Sequence, residues 1–240
     1  MDLYIGTSGF SFKEWKGPFY PEDLKNDAML GYYAERLPAV EINNTFYRLP
    51  KASVLEGWAA QTPETFRFSI KASKRITHIK RLKDAGDETT YLLDTVAALG
   101  DKLGVVLFQI PPNLKKDLPR LEAFLDLMTP TVRPVLEIRH DSWLEDDVLD
   151  LLRQKRCALC ISDTDEAPDP ELYPTAPWGY LRLRRESYDD KGIKSWLARI
   201  SEQGEQGTGG WEQVYVFFKH EDDGVGPKLA GRMLELARRR

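Results

Sequence analysis

Three carboxylates, Glu41, Glu137 and Asp163, and three histidines, His78, His140 and His220, fall at or just beyond the ends of short apolar runs. Carboxylate and imidazole within reach of one another suit proton transfer, one group giving a proton while the other takes it. The same two ligand types also hold Zn, Mn or Fe. Five cations, Lys71, Arg139, Arg182, Arg184 and Lys219, end the same runs or directly follow them. Cations at that density oppose a divalent metal and favour an anionic ligand such as phosphate or carboxylate. No H-x-H or HExxH spacing occurs, so no cofactor is expected, with a divalent metal as the alternative. Thr7, Asn43 and Gln109 add neutral groups that could orient a substrate. Trp15, Tyr47 and Trp143 stand in loops beyond the runs, where they either pack as a lid or stack on a ligand.

Eight segments with strand character position these residues: 3–7, 39–43, 66–71, 104–110, 134–139, 158–163, 179–184 and 213–219. Between them lie helix-like stretches at 28–36, 51–60, 88–99, 118–128, 145–154, 190–203 and 226–238. Strands alternating with helices predict parallel pairing through crossovers, and eight such units in 240 residues predict one TIM-like (β/α)8 barrel over 1–240. An open doubly wound sheet would carry a glycine-rich turn after its first strand, and Gly6-Thr7-Ser8-Gly9 is too short for that fingerprint. Glu41 and Asn43, Ser69 and Lys71, Glu137 and Arg139, and Arg182 and Arg184 are two apart, so each pair shares a face. The parity aims them into the barrel, with Ile42, Ile70 and Ile138 facing the helices. The competing account is a set of buried ion pairs plugging the barrel top, such as Glu137 with Lys71 or Arg139.

A net charge of −4 and a pI near 5.6 argue against general nucleic-acid binding, while leaving room for a basic cleft. No apolar run approaches membrane-spanning length and no signal-peptide pattern opens the chain, so a cytoplasmic protein is expected. Cys157 and Cys160 are three apart on a strand, on opposite faces, which favours neither a disulfide nor a shared metal. The basic stretch within 72–88, Lys74 to Arg81, reads either as a mobile anion gate or as a solvated loop.

Two blocks, Gly6 to Pro21 (GTSGFSFKEWKGPFYP) and Glu41 to Pro50 (EINNTFYRLP), resemble the YecE-like family, domain of unknown function 72. Lys71 with Thr77-His78, Gln109-Ile-Pro-Pro112, Glu137-Ile-Arg-His-Asp-Ser-Trp143 and Asp163 follow in the family's order. The resemblance implies a TIM-like barrel and no established activity. Arg182-Leu-Arg-Arg185 departs from the Arg-Leu-His-Gly of many members, and Phe218-Lys-His-Glu-Asp222 from an asparagine-rich ending. Both changes swap groups at the barrel mouth.

The expectation is an enzyme of hydrolase or lyase type using acid/base chemistry on a small anionic substrate. Glu137 and Glu41 would be the acid/base pair, one held low by Arg139 or Lys71 and the other raised by burial. Arg182, Arg184 and Lys219 would bind the anion, the histidines would move protons, and Asp163 would be a second acid or a metal ligand. The alternatives are a metal-dependent phosphodiester hydrolase with Glu41, Glu137, Asp163 and the histidines as ligands, and a non-enzymatic metabolite- or partner-binding module.

Overall fold

The computed structural model describes residues 1–205 and 209–239. Among them, eight parallel strands pair in sequence order and close into a barrel, the last against the first. The order is β1 (Asp2–Ser8), α1 (Met29–Ala34), β2 (Ala39–Ile42), α2 (Ala52–Ala60), β3 (Arg67–Lys71), α3 (Gly86–Val96), β4 (Leu103–Gln109), α4 (Leu118–Leu125) and β5 (Pro134–Glu137). It continues with α5 (Asp146–Gln154), β6 (Ala158–Ser162), β7 (Trp178–Leu183), α6 (Asp190–Gly204), β8 (Gln213–Phe218) and α7 (Val225–Arg238). The predicted (β/α)8 alternation is thus present except in one crossover. Between β6 and β7 the chain runs without a helix, and Pro168, Pro170, Pro174 and Pro177 explain why. Each removes a backbone donor and clashes with the preceding turn. Thr175 ties this crossover down instead, its hydroxyl donating to Cys157 O at 2.7 Å and accepting from Leu159 N–H at 3.0 Å.

Strand parity divides the buried residues into two cores. Inside the barrel lie Ala39, Val105, Leu107, Val135, Ala158, Cys160, Trp178, Tyr180, Tyr215 and Phe217. The alternate residues, among them Ile5, Val40, Ile70, Val106, Leu136 and Val216, pack against the helices. Cys157 belongs to the outer core and Cys160 to the inner one, and both are free thiols. The inner core fills the lower barrel, so the next inward residues of each strand open onto the top. Gly6 permits a close approach there: a Cβ would stand 1.8 Å from Ala39 O, at the β1 to β2 contact.

Helix α5 ends in a Schellman turn, with Cys157 N–H donating to Leu152 O and Arg156 N–H to Arg153 O. Arg156 occupies the left-handed position at φ 51°, where a side chain costs energy that glycine avoids. Arg156 is exposed, so Arg156→Gly is expected to raise stability by roughly 0.5–1 kcal/mol in urea denaturation. A loss of stability would show that the arginine side chain contributes more than its backbone costs.

Candidate functional site

The inward positions above the inner core form a layered polar site at the carboxyl ends of the strands. Glu41 of β2 and Glu137 of β5 are both essentially buried. Arg182 of β7 lies between them, donating from Nη2 to Glu41 Oε1 and from Nη1 to Glu137 Oε2, each at 2.8 Å. Glu41 Oε1 also accepts from Ser8 Oγ at 2.6 Å and Asn43 Nδ2 at 2.8 Å, and Tyr180 OH donates to Oε2. Ser69 Oγ lies 2.8 Å from the same Tyr180 hydroxyl. Glu137 Oε1 accepts from Arg139 Nε at 2.9 Å and Arg184 Nη2 at 3.2 Å, with Gln109 Nε2 at 3.4 Å. A desolvated carboxylate persists only when paired and hydrogen-bonded, and both are.

That pairing overturns the expected division of roles between the two glutamates. Burial raises the Glu41 carboxyl, but Arg182 and the Ser8, Tyr180 and Asn43 hydrogen bonds outweigh it and bring the pKa down to about 2. Glu137 is likewise lowered, burial being outweighed by Arg182, Arg184 and Arg139. Neither carboxyl is raised, so they form a fixed anionic base under the site and lack the separated pKa values of an acid/base pair. Arg182 is committed to these carboxylates, which corrects its assignment to an incoming anion.

Above this layer opens a cavity of about 750 Å³. Lys71, Arg139, Arg182, Arg184 and Lys219 line it, together with Asn43, Gln109, His78, and the aromatic rings of Phe10, Phe12, Phe46, Tyr47 and Trp58. Glu221 is the one carboxylate at its wall among the described residues. Five cations therefore face Glu41, Glu137 and Glu221. Among the described residues neither Lys71 nor Lys219 forms an ion pair, and the Nε donors of Arg182 and Arg184 are buried without an acceptor. Lys71 Nζ sits 4.6 Å from the Phe46 ring centre. Burial, and next the Arg182 charge, lower its pKa to about 8 despite Glu137 and Glu41. His78 is also lowered, by burial and then by Lys71, Arg139 and Arg81, which keeps the imidazole neutral at neutral pH; its Nδ1 lies 2.9 Å from Thr77 Oγ1.

Several sequence-derived candidates stand elsewhere. Thr7 faces the outer layer, its hydroxyl donating to Gly9 O and lying 2.9 Å from Tyr33 OH, so Ser8 is the inward residue. Asp163 is one position past inward-facing parity and accepts from Arg184 N–H and Tyr188 OH, outside the cavity. His140 caps a turn by accepting from Ser142 N–H at 3.1 Å. His220 donates from Nε2 to Arg185 O at 2.6 Å and lines a neighbouring hollow beyond Arg184 and Lys219. Trp15 and Trp143 are core residues whose indoles donate to Glu221 O and Leu114 O. Asp163, the histidines and the two glutamates are thus not gathered, and among the described residues no group of three His, Cys, Asp or Glu side chains is placed to hold a metal. Tyr180 escaped the sequence reading although it lies two before Arg182 on the same face. Trp58 gave no signal, since it reaches the cavity from α2.

The loop after β3 carries His78 on a single turn of π-helix, Arg75–Ile79, followed by Arg81, Leu82 and Asp84 at φ 54°, 66° and 49°. Arg75 and Lys80 pair with Glu88, and Arg81 donates to Asn113, whereas Lys74 Nζ lies 5.4 Å from the ring centre of Tyr47 at the cavity wall. No helix among the described residues is long and apolar enough to cross a membrane.

Fold and site together define a closed (β/α)8-type barrel with a cation-rich cavity above a buried carboxylate pair. Residues 4–240 match the model of the family described as protein of unknown function DUF72, and the chain belongs to that family. It is similar to the UPF0759 protein YecE of Escherichia coli K12, 31% identical over 139 residues, covering 58% of this chain and 48% of that protein. The UPF0759 protein YunF of Bacillus subtilis is 30% identical over 149 residues, 59% of this chain and 52% of that one. The matches span about half the length of these relatives. A DUF72 family protein from Thermotoga maritima superposes with a TM-score of 0.79 at 23% identity over the whole of both chains. Another, from Enterococcus faecalis, gives 0.76 at 19% identity, covering 99% of this chain and 98% of that one. At those identities the likeness concerns the fold.

Proposed function

We propose that this protein is an enzyme acting by proton transfer on a small anionic substrate, phosphate- or carboxylate-bearing, of the hydrolase or lyase type. The observation that carries the reading is Lys71: an amine inside the cavity, without an anionic partner among the described residues, with its pKa lowered to about 8. A lysine so placed takes and returns protons near neutral pH, whereas the two glutamates, held low, cannot. Arg139, Arg184 and Lys219, which line the cavity, hold the anion. Glu41, Glu137 and Arg182 form the platform that fixes these groups. The aromatic wall covers the uncharged part of the substrate. Neutral His78 serves as the second proton-handling group.

A panel of phosphorylated and carboxylated metabolites in D2O, followed by proton NMR, tests this. Wild-type protein should consume one class of compound or wash out its C–H protons. Lys71→Met should do so at least about a hundredfold more slowly, the usual worth of a positioned general base. Anion binding without conversion of any panel compound would instead favour a metabolite-binding module.

A further inference from the structure

Lys71 is placed for more than proton transfer. It follows Ser69 on the inward face of β3, so its stem rises from the packed floor and its amine enters the cavity. The Phe46 ring centre lies 4.6 Å from its Nζ, and Phe10, Phe12 and Trp58 line the same cavity as the cations Arg139, Arg182, Arg184 and Lys219. A ligand filling this space sets an anionic end on the cations and an uncharged carbon skeleton against the rings. The group then meeting Lys71 is carbon, and the carbon centre that a lysine amine attacks reversibly is a carbonyl.

We propose that Lys71 forms an imine with the carbonyl carbon of a small 2-oxo acid or keto phosphate whose anionic group rests on Arg139, Arg184 and Lys219. This rests on the anionic-substrate reading given above and narrows its substrate class. In the step, the Nζ lone pair forms the N–C bond and the carbonyl π electrons move to oxygen, giving a carbinolamine after proton transfer from nitrogen. The hydroxyl then takes up one proton and leaves as water while the nitrogen lone pair closes the C=N bond. The nitrogen keeps its remaining hydrogen, so the product is the iminium itself, with no oxidant or reductant consumed. Burial and next the neighbouring cations bring the Lys71 pKa down to about 8, so roughly a tenth of the amine is the free-base nucleophile at pH 7, far more than at an ordinary lysine. Neutral His78, lining the same cavity, can accept the proton released from nitrogen in the addition step. The iminium in turn acts as an electron sink for bond breaking at the adjacent carbon, which fits the lyase side of the proposed function.

The test is reductive trapping. The whole protein is incubated with pyruvate, glyoxylate or dihydroxyacetone phosphate plus sodium cyanoborohydride, then analysed by intact mass and peptide mapping, with sulfate binding measured in parallel by calorimetry. The expected result is one adduct at Lys71, roughly tenfold or more above any exposed lysine such as Lys13, suppressed by sulfate and absent in Lys71→Arg. Sulfate binding with labelling spread over surface lysines, or with no adduct from any of the three probes, overturns the imine and leaves the anion site standing. Failure of wild-type protein to bind sulfate overturns the anion reading itself.

Discussion

Arg182→Met is expected to cost about 3–5 kcal/mol at pH 7, because it leaves Glu41 and Glu137 buried with their bridging cation gone. Arg139 and Arg184 still reach Glu137, but among the described residues Arg182 is the sole cation in ion-pair contact with Glu41. Arg182→Lys should recover little, since one ammonium lacks the planar fork that reaches two carboxylates at once. The pH dependence makes the assignment specific. In the wild type the Glu41 pKa is depressed from 4.5 to about 2. Its stabilising contribution, on the order of 3 kcal/mol, is therefore present above the unfolded value and lost as pH falls from about 4.5 through about 2. Removing Arg182 lifts the folded pKa, so this acid limb should flatten in the variant. Urea denaturation at a series of pH values measures both effects. A loss below about 1 kcal/mol, with an unchanged acid limb, would mean that the glutamates gain nothing net from Arg182.

Sulfate affinity should rise about tenfold as pH falls from about 9.5 to 7, because Lys71 becomes protonated across that window. The sign follows from the free protein. Burial and the neighbouring cations hold Lys71 down to about 8, and a bound dianion offsets the repulsion and lifts that value. Binding therefore takes up a proton, and affinity increases toward lower pH. Sulfate suits the measurement because its own charge is constant across the range. Lys71→Met should bind more weakly at pH 7 and lose the dependence. An equal slope in the variant would place the titrating group elsewhere, and a slope of opposite sign would exclude an anion near this amine.

The strand and helix order was legible because both periodicities are clean, and the sixth crossover lacks a helix in the structure as it lacks a helical pattern in the sequence. The inward set at Glu41, Lys71, Glu137, Arg182 and Arg184 followed from two-residue spacing. The same rule applied one residue out of step explains two errors. Thr7 and Asp163 flank Ser8 and Ser162, which hold the inward parity, and a strand's end shows in sequence only as a change of composition. The histidines misled for a different reason: they lie in loops, where no periodicity fixes direction, and only His78 is turned toward the cavity. The protonation states of Glu41 and Glu137 were illegible too, since they depend on which arginines converge from distant strands.

Closure of the barrel sets a kinetic order on the site. β1 is hydrogen-bonded to β8 along six residue pairs, from Asp2 with Gln213 to Thr7 with Phe218. Strand β1, made before the other strands of the barrel, must therefore wait with one edge unpaired until β8, more than two hundred residues further on, has been made. Ser8, on that strand, holds Glu41, while Arg182 arrives only with β7. Until β7 is made the two glutamates lack the arginine that bridges them, so the charged layer cannot be completed before the seventh strand. A barrel built this way gains its polar heart and its last seam almost together, which ties the cavity's existence to complete closure.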